Sequence, residues 1–373
     1  MSIVLVTGGA GFIGSHVVRA LAQRGEQVRV LDSLEPPVHQ HAAPDLPHGV
    51  TLVRGSVTDR AALGDALQGV DRVVHLAAYQ DYLPDFSHFF HTNVVGTALL
   101  YELAVAGSLP LEKIVVASSQ AVYGEGRYRC ARDGAQYPSQ RPDQQLRDRA
   151  WEIVCPVCGQ AMEPDWTPED RVSPHNSYAM SKRAEEELTL RLGERYGIAS
   201  VGLRYSIVQG PGQSFHNAYS GALRSFAVRV LNGQPPIAFE DGLQLRDYVS
   251  IHDVVAATLM ALDRHDMDGQ AFNVGAGRRV SVLDLARIVL EESGVEDLEV
   301  SLPGLYRVGD TRHILSDTSR LQALGWSARV DQRTMVREYL DWARAQPDLS
   351  DTFAAAEHKM RSLNVLRAAG AGM

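Results

Sequence analysis

No stretch of this chain constrains its fold more than Thr7-Gly-Gly-Ala-Gly-Phe-Ile-Gly14, which follows the β-branched run Ile3 to Thr7 and opens an amphipathic helical pattern. Gly8, Gly11 and Gly14 then make a tight strand-to-helix turn, whose backbone amides can approach a pyrophosphate at the helix N-terminus. Such a turn also serves plain packing. Asp32 narrows the choice, because it ends the next strand 18 residues after Gly14. A carboxylate there accepts from both adenosine ribose hydroxyls and repels a 2′-phosphate. The pattern therefore predicts a dinucleotide site that favours NAD over NADP.

Further strand candidates are Val28 to Asp32, Thr51 to Arg54, Arg72 to Leu76, Lys113 to Ser118 and Val201 to Tyr205, with helical apolar spacing between most of them. That alternation predicts an α/β fold, a Rossmann-type doubly wound parallel sheet. The expected NAD-binding domain is 1–205 with 246–276, and a smaller interleaved substrate domain takes 206–245 and 277–348. Residues 126–172 break the rhythm, being rich in Pro, Arg, Gln and Asp without either period, and read as an insert. The Ala-rich tail, 349–373, reads as a helix or a frayed end.

Tyr178-Ala-Met-Ser-Lys182 lies on a helical pattern, so Tyr178 and Lys182 share one face a turn apart. An ammonium there lowers a phenol's pKa, and the phenol can act as general base toward an alcohol during hydride removal. An isolated YxxxK is common on ordinary helices. Here Ser118-Ser119 ends a strand at the carboxyl edge, where doubly wound sheets place ligands, and a serine hydroxyl can orient the substrate oxygen.

With these motifs together the chain resembles the extended short-chain dehydrogenase/reductases, specifically the NAD-dependent epimerase/dehydratase family, from about residue 3 to 342. Beside the motifs above, the resemblance rests on HLAA (75–78), NVVGT (93–97), SSQAVYG (118–124), LRY (203–205), RDYV (246–249), FNVGAG (272–277) and RVGD (307–310). It implies a catalytic set of Ser119, Tyr178 and Lys182. The cofactor residues it implies are Gly8, Gly11, Phe12, Ile13, Gly14, Asp32, Ser33, Ser56, Val57, Leu76, Ala77, Ala78, Asn93 and Tyr205, with Tyr178 and Lys182. Its implied substrate residues are Gln80, Ser119, Gln120, Asn217, Phe239, Arg246, Arg307 and Asp310. Within these, Arg246, Arg307 and Asn217 match positions that hold a diphosphate, and Phe239 a base-contacting one. A homodimer through helices near 93–106 and 178–195 is also implied. Two positions depart from the family pattern: Ser56 replaces an aspartate after the third strand, and Ser206-Ile207 replaces Phe-Asn after LRY.

The reaction is narrowed by Gln120 and Ala121. Sugar 4,6-dehydratases of the family carry an acid pair there, related decarboxylases a glutamate, and 3,5-epimerases a cysteine nearby. What remains serves oxidation at one carbon and its reversal, which a nucleotide-sugar 4-epimerase with tightly bound NAD needs. The segment 204–221, the insert and 306–313 look like the branch that includes dTDP-L-rhamnose 4-epimerases, so a dTDP-6-deoxyhexose is the leading substrate. UDP-hexose 4-epimerisation, a one-way reductase or dehydrogenase, and a non-catalytic dinucleotide sensor are the alternatives. His75, in a buried strand, reads as a satisfied core histidine.

Cys155-Pro-Val-Cys158-Gly has the compact turn of a metal knuckle, and Cys130 can add a third thiolate. Structural zinc and reduced thiols are the two readings; Asp133 and His175 are candidate fourth ligands, and no spacing chooses between them. With three cysteines in 373 residues a disulfide framework is not expected. The formal charge of -9 gives no footprint for nucleic acid or an anionic membrane. No leader pattern and no run of about 18 apolar residues is read, so the expected compartment is the cytoplasm.

Overall fold

The computed structural model describes residues 2–36, 39, 45–81, 83–215, 221–347, 349 and 353–370. Its centre is a parallel sheet of seven strands: β1 (Ile3–Thr7), β2 (Gln27–Asp32), β3 (Thr51–Arg54), β4 (Arg72–His75), β5 (Lys113–Ser119), β6 (Ala199–Tyr205) and β7 (Gln270–Val274). The order across the sheet is β7-β6-β5-β4-β1-β2-β3, and every neighbouring pair is parallel. The strand order reverses between β1 and β4, which opens a crevice at their carboxyl ends. Helices on both faces bury the sheet, so Val4, Leu5, Val6, Val73, Val74 and Val115 are fully enclosed and the strands read as apolar runs.

Six of these strands match the sequence expectation to within two residues; β7 was not among the strand candidates. Asn273 interrupts its apolar run. In the fold that side chain is buried and satisfied, donating to the carbonyls of Thr167 and Asp317 and accepting from the Tyr123 hydroxyl.

One sheet face is covered by α1 (Phe12–Gln23) and by α2 (Ile251–Asp263), which pack against each other. On the other face lie α3 (Gly96–Ala106), continuous with turns from Phe86, and α4 (Ser177–Tyr196). A separate apolar core joins α5 (Gly221–Leu231), α6 (Val282–Ser293) and α7 (Gln332–Arg344) through Leu223, Phe226, Leu285, Val289, Tyr339 and Leu340. The two parts are tied at Asp247, whose carboxylate accepts from the amides of Ala276 and Arg278. Only glycine fits at Gly275, where a Cβ would stand 2.1 Å from Asp247 Oδ2.

The insert folds into three very short antiparallel strands, with Tyr128–Cys130 between Gly134–Gln136 and Glu163–Pro164. Strands of two or three residues leave no periodicity to read. The tail is helical over Phe353–Ser362, and Leu366–Ala368 then pairs antiparallel with Leu305–Arg307. By length and mean composition alone Phe86–Ala106 would be able to cross a membrane. Its Leu99, Leu100, Tyr101 and Ala104 are buried against the protein, as in a core helix.

Candidate active site

A cavity of about 880 Å³ opens at the carboxyl edge of the sheet and runs into the second core. Its floor is the glycine turn. Gly8 has φ +67°, and a Cβ there would meet Ala77 N at 2.8 Å; a Cβ on Gly14 would stand 2.1 Å from the Gly8 carbonyl oxygen. These glycines let the β1–α1 turn, the Leu76–Ala78 strand end and the helix lie close enough for backbone amides to face a ligand.

Asp32 closes that end. Its carboxylate accepts from the amides of Ala10 and Leu34, both at 3.0 Å, and His39 Nε2 lies 3.5 Å away. Burial alone would raise its pKa, but the His39, Leu34 and Ala10 hydrogen bonds outweigh burial and hold it below the ordinary carboxylate value. Phe12, Ile13, Ser33, Ser56, Val57 and Tyr205 line the same space.

Asn93 does not line it. Its amide is spent on the backbone of Tyr79, at 2.7 and 3.1 Å, and on Ser181 Oγ at 2.9 Å, so it braces the Leu76–Tyr79 segment against α4. His75 is a core residue as expected. It bonds Thr7 Oγ1 and Thr97 Oγ1, and burial, with Lys182 nearby, drops its pKa to about 3, so the ring is neutral.

α4 presents the chemistry. Asn176 caps its N-terminus by accepting from the amide of Ala179 at 2.8 Å, so Tyr178 stands in the first turn and Lys182 one turn on. The Tyr178 hydroxyl is hydrogen-bonded to Ser119. Lys182 Nζ donates to the Ala117 carbonyl at 2.8 Å and lies 2.8 Å from Glu185 Oε2. Burial raises the Tyr178 pKa above that of a free phenol, with Glu185 adding to the rise, while Lys182 and Ser119 pull it down. Thus the lysine acts in the expected direction and burial exceeds it. Glu185 itself is fully buried, which lifts its carboxyl to about 7 despite Lys182.

The motifs around this trio hold it in place. Arg204 forms a fork with Glu186 of α4, Nε to Oε2 at 2.8 Å and Nη2 to Oε1 at 2.7 Å, and also reaches the Tyr123 hydroxyl at 2.8 Å. Ser118 donates to the same glutamate at 2.7 Å. The LRY and VYG residues and Asn273 therefore form one buried brace across β5, β6, β7 and α4.

Gln120 is buried beside Ser119, and the Ser206 hydroxyl lies 2.8 Å from its Oε1 and 2.7 Å from the Asp247 carbonyl. The Ser206 departure after LRY is thus in contact with Gln120, which stands where dehydratases of the family carry an acid.

Gln80, Gln120, Phe239, Arg246, Arg307 and Asp310 all border the cavity; Asn217 lies outside the described residues. The Arg246 guanidinium donates to the carbonyls of Leu245, Thr311 and Arg312 at 2.7 to 3.0 Å, which orient it without cancelling its charge. Arg307 stacks 5.3 Å above the Phe239 ring and bonds Asp310 at 2.8 Å. Phe353, Ala356 and Met360 of the tail complete this wall, and no pattern in the sequence pointed to them.

The model of the NAD dependent epimerase/dehydratase family matches residues 4–143 and 155–275. The chain belongs to this family. The dTDP-L-rhamnose 4-epimerase of Burkholderia thailandensis is 33% identical over 353 residues, covering 92% of this chain and 96% of the relative. A putative UDP-glucose 4-epimerase of Methanocaldococcus jannaschii is 28% identical, covering 92% and 98%. Among solved structures, a UDP-glucose 4-epimerase from Thermotoga maritima with UDP-glucose aligns with TM-score 0.75 at 26% identity, covering 92% of this chain and 98% of the other. The Thermus thermophilus UDP-glucose 4-epimerase complexed with NAD aligns with TM-score 0.71 at 29% identity, covering 92% and 99%.

Proposed function

We propose that the protein is a nucleotide-sugar 4-epimerase with retained NAD, acting on a dTDP-6-deoxyhexose such as dTDP-L-rhamnose. The observation that carries the reading is a Ser119–Tyr178–Lys182 set lining the cavity beside a buried Gln120, with no acid pair following the serine. In this reading Ser119 orients the C4 hydroxyl and Tyr178 takes its proton. Lys182 makes the phenolate less costly by its charge. Bound NAD supplies the hydride acceptor and donor, and the glycine cradle and Asp32 fit its pyrophosphate and ribose. After the 4-keto sugar turns over, Tyr178 returns the proton as the other face is reduced. Arg246 and Arg307, with Asn217, are assigned to the diphosphate, and Phe239 to the base.

Domain limits follow the sequence reading: 1–205 with 246–276 for NAD, and 206–245 with 277–348 for the sugar nucleotide. A homodimer is part of the proposal. Val95, Val105 and Met180 are exposed apolar side chains on the two helical stretches expected to pair, 93–106 and 178–195. Three free cysteines suit the cytoplasm. Structural zinc in the insert has no part in hydride transfer.

The first relative supports a dTDP sugar and the UDP-glucose-bound neighbour a UDP-hexose, which is the second reading. The deciding experiment is NMR in D2O of the purified protein, without added cofactor, mixed in turn with dTDP-L-rhamnose and UDP-hexoses. A C4 epimer free of carbon-bound deuterium is expected with dTDP-L-rhamnose. Turnover of UDP-hexoses alone moves the substrate assignment. Deuterium at C3 or C5, or stoichiometric NADH release, removes the 4-epimerase reading.

A further inference from the structure

The insert contains a pattern that repeats. Cys130-Ala-Arg-Asp133-Gly134 and Cys155-Pro-Val-Cys158-Gly159 share the form C-x-x-(C/D)-G, 25 residues apart. Each forms a tight turn at the tip of a hairpin, the first between Tyr128–Cys130 and Gly134–Gln136, the second closed by the Val154–Ala161 bridge. Both turns end in a left-handed glycine, with φ +70° at Gly134 and +71° at Gly159. Two facing knuckles of this kind are the framework of a zinc ribbon, here with aspartate in one of the four ligand places.

The four side chains converge. Their ligand atoms all lie within 4.8 Å of one another. Cys130 Sγ is 3.5 Å from Cys158 Sγ and 3.6 Å from Asp133 Oδ2, and Cys155 Sγ is 3.4 Å from Asp133 Oδ2. Around a tetrahedral zinc with bonds of about 2.3 Å to sulfur and 2.0 Å to oxygen, two sulfurs stand ~3.8 Å apart and a sulfur and an oxygen ~3.5 Å apart. Arg132 bonds the other carboxylate oxygen, Oδ1, at 3.3 Å, which leaves Oδ2 facing the thiols. His175, the other candidate, sits against Gly124 and Ser173 at the cavity instead.

Between the two knuckles the chain runs to the substrate wall. Arg141 forms a buried fork with Glu240, at 2.8 and 2.9 Å, and bonds the Asp310 carbonyl at 3.0 Å. Glu152 accepts from Arg312 and meets His313, both at 3.0 Å. Arg312 also binds Glu240 at 3.0 Å. Glu240 is a non-glycine residue held at φ +54°, directly after Phe239. A conformation of that kind persists where its surroundings over-determine it.

We propose that Cys130, Asp133, Cys155 and Cys158 bind one structural zinc ion, and that this ion fixes the insert segment whose Arg141 and Glu152 set the Phe239–Arg307 wall of the substrate cavity. The ligand set stands independently of the reaction, while the effect on KM rests on the epimerase reading. Whole protein purified after growth with zinc should hold one zinc per chain by elemental analysis. X-ray absorption at the zinc edge should show three sulfur neighbours and one light atom. Asp133→Cys should convert this to four sulfurs and slow zinc loss to a chelator. Removing zinc, or Cys155→Ser, should raise KM for the nucleotide sugar roughly tenfold while bound NAD stays unchanged. Arg141→Ala, which spares the ligands, should raise KM with zinc content intact.

Protein that takes up no zinc after titration, or a zinc shell unaltered in Asp133→Cys, overturns the site. Zinc loss with unchanged KM overturns the link to the wall. An enzyme inactive on every sugar nucleotide, yet carrying the Cys3Asp zinc, leaves the metal site standing and removes only the reaction.

Discussion

The two ends of the cavity are built in opposite ways. The NAD end takes its floor from one contiguous stretch, β1 through Asp32, in which glycines approach backbone and a single carboxylate closes the site. The sugar-nucleotide end draws on segments far apart: Gln140 from the insert, Phe239, Arg246, Arg307 and the tail around Met360. A wall of local origin tolerates change elsewhere in the chain. A wall assembled from distant pieces depends on each piece being held.

Breaking the chemistry that joins both ends should have the largest effect. Tyr178→Phe should lower kcat by about 10²- to 10⁴-fold with bound NAD retained, as read by epimer formation and cofactor absorbance. Next comes the charged wall: Arg246→Ala should raise KM about 10- to 100-fold while sparing kcat, because it removes a cation that three carbonyls orient without neutralising. An equal loss in kcat would instead give Arg246 a role in the transition state.

The tail sharpens the contrast further. Ending the chain after residue 347 removes the strand Leu366–Ala368 that pairs with Arg307, so KM should rise severalfold. NAD content should not move, and loss of NAD would show that the two ends are not separable.

The smallest effect is expected at Glu185, the buried carboxylate against Lys182. Its charge works against a phenolate on Tyr178. Glu185→Gln should therefore lower the Tyr178 pKa and move the rising limb of the kcat profile to lower pH, on the order of half a unit. The displacement should appear only above about pH 7, since below that value Glu185 already carries a proton.

Local signals made much of this legible in the sequence. The glycine turn, Asp32, six of the seven strands and the Tyr178–Lys182 spacing are relations between neighbours on one strand or helix, where residue type and period follow directly from backbone geometry. Asn93 shows the limit of matching by motif: it belongs to the site's support, and its amide bonds the Tyr79 backbone rather than facing the cavity. Ser206 and Gln120, 86 positions apart, come within 2.8 Å only in the fold.

The cysteine insert divides the same way. The sequence offers Asp133 and His175 as partners for the three thiols with no spacing to choose between them, and the fold brings Asp133 to the thiols and leaves His175 at the cavity. Sequence by itself determined the α/β sheet, the dinucleotide turn and the reactive helix, because periodicity and glycine placement are local consequences of covalent geometry. Only tertiary structure decided that β7 buries a satisfied asparagine, that the tail walls the cavity, and that Asp133 joins three thiols. Each of those outcomes rests on a long-range contact, and side chains brought together across many residues of loop leave no period for a sequence to display.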